Sequence, residues 1–322
     1  MNPHSHRAAA FVAALLLLMH AAAPAPAAAR AQRRTTPSRE AIIFIVTKAA
    51  GAEAQVEPVA FVNNGGALVE PVLTGAAPNA GESEAEAPLG FFAQYYRPGA
   101  KFRLVYGGAE AGSVTIREAA RAECAPNAAR VDVGTTTAKL GGNVMALALV
   151  GAYPLRPQSS RRAPTEQERA AVFDVAKSVL VRKRVSASAV ERSTKTLNLT
   201  ATDLDGDGRE ELVGSYVVKT GPRVRDTLFL VAEPRGRGYR AALSKYARVN
   251  AGEMMDPSLI DNVGEGGLGT ELYVEQLDVD GDGVGELFTV SQSFEGTTYR
   301  AYRRQRGAWR AAYENYSYRC AY

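Results

Sequence analysis

Residues 196–218, TLNLTATDLDGDGREELVGSYVV, and 271–293, ELYVEQLDVDGDGVGELFTVSQS, are two versions of one pattern. Asp203 aligns with Asp278, a period of 75 residues. Each copy runs from a strand-like stretch into an acidic loop and out into a second strand. Leu197 and Leu199, like the run 274–277, carry the spacing of strands rather than helices. Two further strand-like stretches come after each copy: 226–232 and 238–249 after the first, 297–305 and 308–320 after the second. The reading is of two units of about four strands each. The fold class expected is therefore mainly β: antiparallel sheets, with two four-stranded, propeller-blade-like units at the C-terminus and one amphipathic helix near 165–183.

The loops carry the chemistry. Asp203, Asp205 and Asp207 occupy positions 1, 3 and 5, and Glu211 occupies position 9; Asp278, Asp280, Asp282 and Glu286 repeat the set. Carboxylates at alternate positions of a tightly curled loop converge on one centre, where they repel one another unless a cation joins them. Calcium is a hard ion that takes 6–8 oxygen ligands, and a main-chain carbonyl at position 7, from Arg209 or Val284, can add to the set. Magnesium demands stricter geometry and keeps its waters. Glycines at positions 4 and 6 permit the sharp turn. Two Ca2+ sites are expected. The loops share D-x-D-G-D-G with EF-hand-like loops, but position 12, where an EF-hand places a bidentate glutamate, holds Gly214 or Thr289.

Upstream, Thr165 and Glu168 form a capping-box pair just after Pro164, which predicts a helix from there to about Lys183. Val172, Val175, Ala176, Val179 and Leu180 share its apolar side, and that face is expected to pack on a sheet. Residues 154–164, PLRPQSSRRAP, read as a proline- and arginine-rich connector. The N-terminal half reads as mostly β, with strands over 41–47 and 56–62 and a turn at 63–66 before 67–73. Residues 74–90 read as a flexible loop. A hairpin comes next, with FFAQYY and KFRLVY flanking the turn Arg97-Pro98-Gly99-Ala100. Residues 113–119 and 143–153 supply two more strands.

The first 31 residues have the form of a secretory signal. A basic stretch ending at Arg7 leads into an apolar run from Ala8 to Met19, too short for a spanning helix, and Ala29-Arg30-Ala31 offers a cleavage site. Subtracting Arg7 and Arg30 from the 38 basic side chains leaves 36 against 34 acids, a surplus of two with no clustered basic face. Nucleic acid is accordingly not an expected partner, and no later segment reads as a membrane span. All three histidines (His4, His6, His20) lie within the leader. The remainder lacks the residue needed for serine–histidine and cysteine–histidine catalysis and for histidine-ligated zinc. Cys124 and Cys320 are the only cysteines, and in an oxidising compartment they are expected to pair. The division expected is a leader over 1–31, an N-terminal β region over 32–160, a connector and helix over 161–195, and two calcium-loop repeats over 196–322.

The stretches DLDGDGREELV and DVDGDGVGELF resemble the calcium loops of FG-GAP or VCBS-type repeats, the integrin-like β-propeller family. The resemblance covers roughly residues 195–322. It implies strand–loop–strand calcium sites that rigidify secreted or surface proteins. Two units fall short of a closed propeller of 4–8 blades, so either the N-terminal half supplies further sheets or the two units pack together. The C-terminal aromatics, among them Tyr299, Tyr302, Trp309, Tyr313 and Tyr316, suit ordinary sheet packing better than a sugar-stacking platform. The expected function is an exported (secreted or periplasmic), calcium-binding structural or binding module, with a surface glycan or a protein as its further partner. A carbohydrate-active enzyme or carbohydrate binder that uses calcium only for stability is the alternative. Outside the loops no carboxylate pair is spaced for glycoside hydrolysis, and no catalytic residue is assigned.

Overall fold

The computed structural model describes residues 40–48, 51–71, 87–122, 125–135, 144–261 and 268–318. The expected leader, the expected flexible loop up to residue 86, and both cysteines lie outside these residues. Residues 37–322 belong to one compact unit.

Strand β1 (Ala41–Lys48) is the clue to the N-terminal half, because six consecutive residues, Ala41 to Val46, are all buried. Side chains of a strand alternate between faces, so both faces of β1 must be covered. Ile42, Phe44 and Val46 point into one core, and Ala41, Ile43 and Ile45 into another. The first core is the inside of a closed sheet. β1 pairs with β2 (Ala54–Val62) on one edge and with β7 (Val144–Val150) on the other. The circuit continues through β4 (Lys101–Tyr106), β5 (Ala109–Ala122) and β6 (Ala125–Thr135) back to β2. Six antiparallel strands thus make a barrel, and the short β3 (Leu68–Val69) hangs on β2. Phe44 stacks on Phe102 inside it, with ring centroids 4.6 Å apart.

Helix α1 (Ala87–Tyr95) closes one end of this barrel, and it corrects the expectation that FFAQYY is the first strand of a hairpin. Phe91, Phe92, Tyr95 and Tyr96 fall on one side of a helix, and together they pack on the barrel core. An extended chain would have split each aromatic pair across two faces. The turn itself survives: Ala100 N–H donates to Arg97 O at 2.9 Å, and Gly99 takes φ +84°.

The C-terminal half is layered. Helix α2 (Glu166–Arg182) begins with the expected capping box: Glu168 N–H donates to Thr165 Oγ1, and Thr165 N–H to Glu168 Oε2. A second helix, α3 (Ala187–Ser193), is one that the sequence pattern does not announce. Val172, Ala176, Val179 and Leu180 pack with Val190 on one face of a four-stranded meander. That meander is β8 (Thr194–Thr202), β9 (Glu211–Gly221), β10 (Val224–Arg235) and β11 (Gly238–Asn250). Its other face meets a second meander, β12 (Glu271–Leu277), β13 (Glu286–Gln292), β14 (Gly296–Gln305) and β15 (Ala308–Tyr318), through Phe229 and Val231 against Tyr273, Leu287 and Tyr302. The far face of the second meander, with Val274, Phe288 and Tyr299, covers the outside of the barrel at Ile43, Ile45 and Leu149. The order is helices, sheet, sheet, barrel. Each meander is covered on both faces, which is why β9 and β10 are buried almost continuously. Of the two packings left open, the meanders stack on each other, while the N-terminal strands close on themselves. Tyr299, Tyr302 and Trp309 are buried, as sheet packing requires; Tyr316 is exposed.

Candidate metal centre

Both acidic loops sit at strand ends that share a construction. β8 and β9 lose register between Leu197 and Thr200, and β12 and β13 between Tyr273 and Glu275. A bulge of this kind bends the strand and re-aims the chain beyond it. The chain then leaves β8 at Thr202 and re-enters β9 at Glu211; in the second copy it leaves β12 at Leu277 and re-enters β13 at Glu286. Glu211 and Glu286 therefore stand on rigid sheet, whereas the aspartates ride on the turn. Positive φ falls at Gly206 and Gly208, and again at Gly281 and Gly283, where residues with a Cβ would be strained.

In the first loop, one carboxylate oxygen from each of Asp203, Asp205 and Glu211 lies within 4.8 Å of the others. Asp278, Asp280 and Glu286 do the same in the second. These two acidic clusters could each hold a metal ion. Asp207 and Asp282 stand outside the clusters. Their Oδ1 atoms accept the N–H of Arg209 and Val284, each at 2.8 Å, and so shape the turn. Asp203 is held by Gly206 N–H at 2.7 Å and Gly208 N–H at 3.0 Å; Asp278 by Gly281 N–H at 2.7 Å and Gly283 N–H at 3.2 Å.

The glutamates are the buried members, Glu211 at 4% exposure and Glu286 at 1%. Each takes one backbone donor, Leu204 N–H at 2.8 Å and Val279 N–H at 2.6 Å. Burial pushes the Glu211 carboxyl up to about 7, with Asp205 and Asp203 adding to the push and the Leu204 N–H opposing it. Glu286 is likewise pushed up to about 7 by burial, and there the Val279 N–H and Arg303 oppose. Charged carboxylates out of water are costly unless a counter-charge joins them.

Three arginines that no sequence motif singles out complete the surroundings. Arg156, from the connector, donates to Asp203 O at 2.6 Å, Leu204 O at 2.9 Å and Gly283 O at 2.9 Å, so one guanidinium ties both loops together. A direct bond from Gly285 N–H to Leu204 O, 2.8 Å, joins them again. Arg304 Nη1 donates to Asp205 Oδ2 at 2.8 Å, and Arg303 Nε to Glu286 Oε1 at 2.6 Å. Nearby, Arg161 is clamped between the Tyr106 and Tyr273 rings (4.7 and 4.8 Å to the centroids) and pairs with the fully buried Glu275 at 3.0 Å. That seam joins the barrel, the connector and the second meander beside the loops. The signal for all these arginines is the arginine content of 154–164 and 297–305, which carries no information about where each side chain reaches.

Comparison of the chain with protein-family models, with curated proteins and with solved structures gives no match. Among the described residues no helix is long and apolar enough to cross a membrane.

Proposed function

We propose that this chain is an exported calcium-binding β-rich module, secreted or periplasmic, in which the two acidic loops hold structural calcium ions. One observation carries the reading. Each loop gathers two aspartates and a buried glutamate within 4.8 Å, and in the first loop that glutamate has no cationic side chain at ion-pair distance among the described residues. An all-oxygen donor set on a curled loop suits calcium better than magnesium, whose octahedral geometry is stricter. The leader-like segment over 1–31 and the FG-GAP or VCBS resemblance of the loops support the extracellular setting. The role implied is bracing. The loops lie where the barrel, the connector and both meanders meet, so ions there would stiffen the junction of these layers.

Extracellular calcium sites commonly have dissociation constants of about 10⁻⁴–10⁻³ M. Two sites of about 10⁻⁴ M in roughly 1 mM calcium would add about 3 kcal/mol together, or about 6–12 °C in Tm for a chain of this size. Thermal unfolding in EDTA and in millimolar calcium tests this, beside a double variant Asp205→Asn, Asp280→Asn that keeps shape and removes two ligand charges. The expected result is a calcium-dependent rise that the double variant loses. Equal melting temperatures with and without calcium would overturn the proposal.

A further inference from the structure

Two arginine-rich turns, distant in sequence, come together at one end of the stacked meanders. Arg235-Gly236-Arg237-Gly238 joins β10 to β11, and Gln305-Arg306-Gly307-Ala308 joins β14 to β15. Arg235 and Arg306 are 71 residues apart. Ion pairs fasten the two hairpins together just below their tips. Glu233 accepts Arg240 across its own hairpin and Arg304 Nη2 from the other at 3.1 Å, while Arg304 Nη1 reaches Asp205 at 2.8 Å. Trp309, at the foot of the second turn, packs in the same core as Leu243 of β11.

Residues 233–240 and 303–310 hold seven arginines against one glutamate, and no lysine. Arg240, Arg303 and Arg304 are committed to carboxylates of the protein itself. Arg235, Arg237, Arg306 and Arg310 are exposed, and their side chains make no ion pair among the described residues. Glu233 and Asp205, the acids at the foot of the turns, are already taken by Arg240 and Arg304. The backbone adds an independent observation. Arg306 has φ +50° and Gly307 φ +77°, the pair of left-handed residues that a type I′ turn requires. Glycine or asparagine occupies that first position without strain, whereas arginine is strained there. A strained exposed residue that no internal contact explains points to a use outside the fold.

We propose that the two turns form one cationic rim that binds a linear acidic polysaccharide through carboxylate or sulfate groups repeated along its chain. The planar guanidinium fork matches both anions with two parallel hydrogen bonds, which lysine cannot do. A single exposed ion pair is weak, so one small anion gains little, whereas anions repeated on one chain engage several arginines at once. Four guanidinium groups spread over two adjoining turns suit such a chain. Trp309 and Tyr239, the aromatic residues that follow the turns, pack into the cores and offer single-stranded bases no stacking face. The exported reading above supplies the setting in which acidic glycans are met; the inference rests on that part of it and not on calcium.

Titration calorimetry of the full chain with polygalacturonate and with heparin, in EDTA and over a series of salt concentrations, tests the proposal. The expected result is binding to at least one of the two, weakening as salt rises, with no binding to neutral dextran. Changing Arg235, Arg237, Arg306 or Arg310 singly to glutamine is expected to weaken binding about twofold to fivefold, and all four together at least about tenfold. Arg97→Gln combined with Lys101→Gln removes two exposed cations from the barrel and should leave affinity within about twofold of the parent. Arg306→Gly relieves the left-handed strain, so it should melt at or above the parent while binding more weakly, a pairing that a purely structural role excludes. Absence of binding to both acidic polymers overturns the proposal, as does an equal loss in the barrel pair and the fourfold variant. Tighter binding to duplex DNA or to anionic phospholipid vesicles than to either polymer overturns it too, and makes nucleic acid or a membrane surface the partner. Because binding is read in EDTA, failure here leaves the calcium reading standing, and failure of calcium to bind leaves the rim standing.

Discussion

Replacing Arg156 with alanine cuts the strut between the two loops while sparing its backbone. The main-chain N–H of Arg156 donates to Gly108 O at 3.0 Å, and that bond to the barrel survives truncation. The side chain loses three contacts, to Asp203 O, Leu204 O and Gly283 O. These are not equally missed. Asp203 O keeps Gln276 Nε2 at 3.2 Å and Ser160 Oγ at 3.3 Å, and Leu204 O keeps Gly285 N–H at 2.8 Å. Gly283 O, at an exposed glycine, turns to water. A hydrogen bond to a charged group is worth about 1.5–3 kcal/mol, so with two of three acceptors still satisfied the net loss is about 2 kcal/mol. For a chain of this size that corresponds to a Tm lower by about 4–8 °C. Because the strut touches both loops, calcium binding should weaken at both, unlike any single-ligand variant. Differential scanning calorimetry with a parallel calcium titration measures the two effects. Arg156→Lys should recover only part, since an ammonium cannot reach three carbonyls as a planar fork does. A variant melting within about 1 °C of the parent, with both affinities unchanged, would refute the reasoning behind these magnitudes.

Other parts of the molecule make their own predictions. At Gly66, φ is +72° and an added Cβ would stand 2.7 Å from Asp280 Cα and 2.9 Å from Val279 O, both backbone atoms; Gly66→Ala should cost about 1–3 kcal/mol and weaken calcium at the second loop more than at the first, read by melting and by titration. Phe44→Ala removes a fully buried ring from the barrel core and should cost about 3–5 kcal/mol in denaturant unfolding. Glu168 is held down to about 2, chiefly by its bond to Arg162. A carboxyl depressed in the folded state stabilises above its unfolded value of about 4.3 and loses that contribution as pH falls toward the folded one; the stability gap between the parent and Glu168→Gln should therefore be widest above pH about 5 and close between about 4 and 2.

The parts legible in the sequence are those encoded locally. The capping box at Thr165 and Glu168, the apolar side of α2 and the strand–loop–strand repeats all depend on residues a few positions apart, and the structure carries each of them. The clustering of Asp203, Asp205 and Glu211 is a consequence of alternate spacing on a curled loop. Asp207 fits the same spacing, but its Oδ1 accepts the Arg209 N–H and the residue is not among the three whose carboxylates converge, a difference that spacing alone does not carry. Barrel closure is not legible, because β1 pairs with β7 about a hundred residues away and only the unbroken apolar run from Ala41 to Val46 hints that both its faces are covered. The helix α1 escapes because FFAQYY satisfies strand propensity as well as it satisfies a helical face; the barrel end it fills decides between them. Arg156, Arg303 and Arg304 act over long sequence separations, and their partners exist only once the sheets have stacked.

The most direct test of the central claim is a count of bound calcium by equilibrium dialysis of the metal-stripped protein against millimolar calcium. Two ions per chain are expected, falling to one in Asp205→Asn or Asp280→Asn and to none in the double variant. No bound calcium in the unsubstituted protein, or two ions retained by the folded double variant, would contradict it.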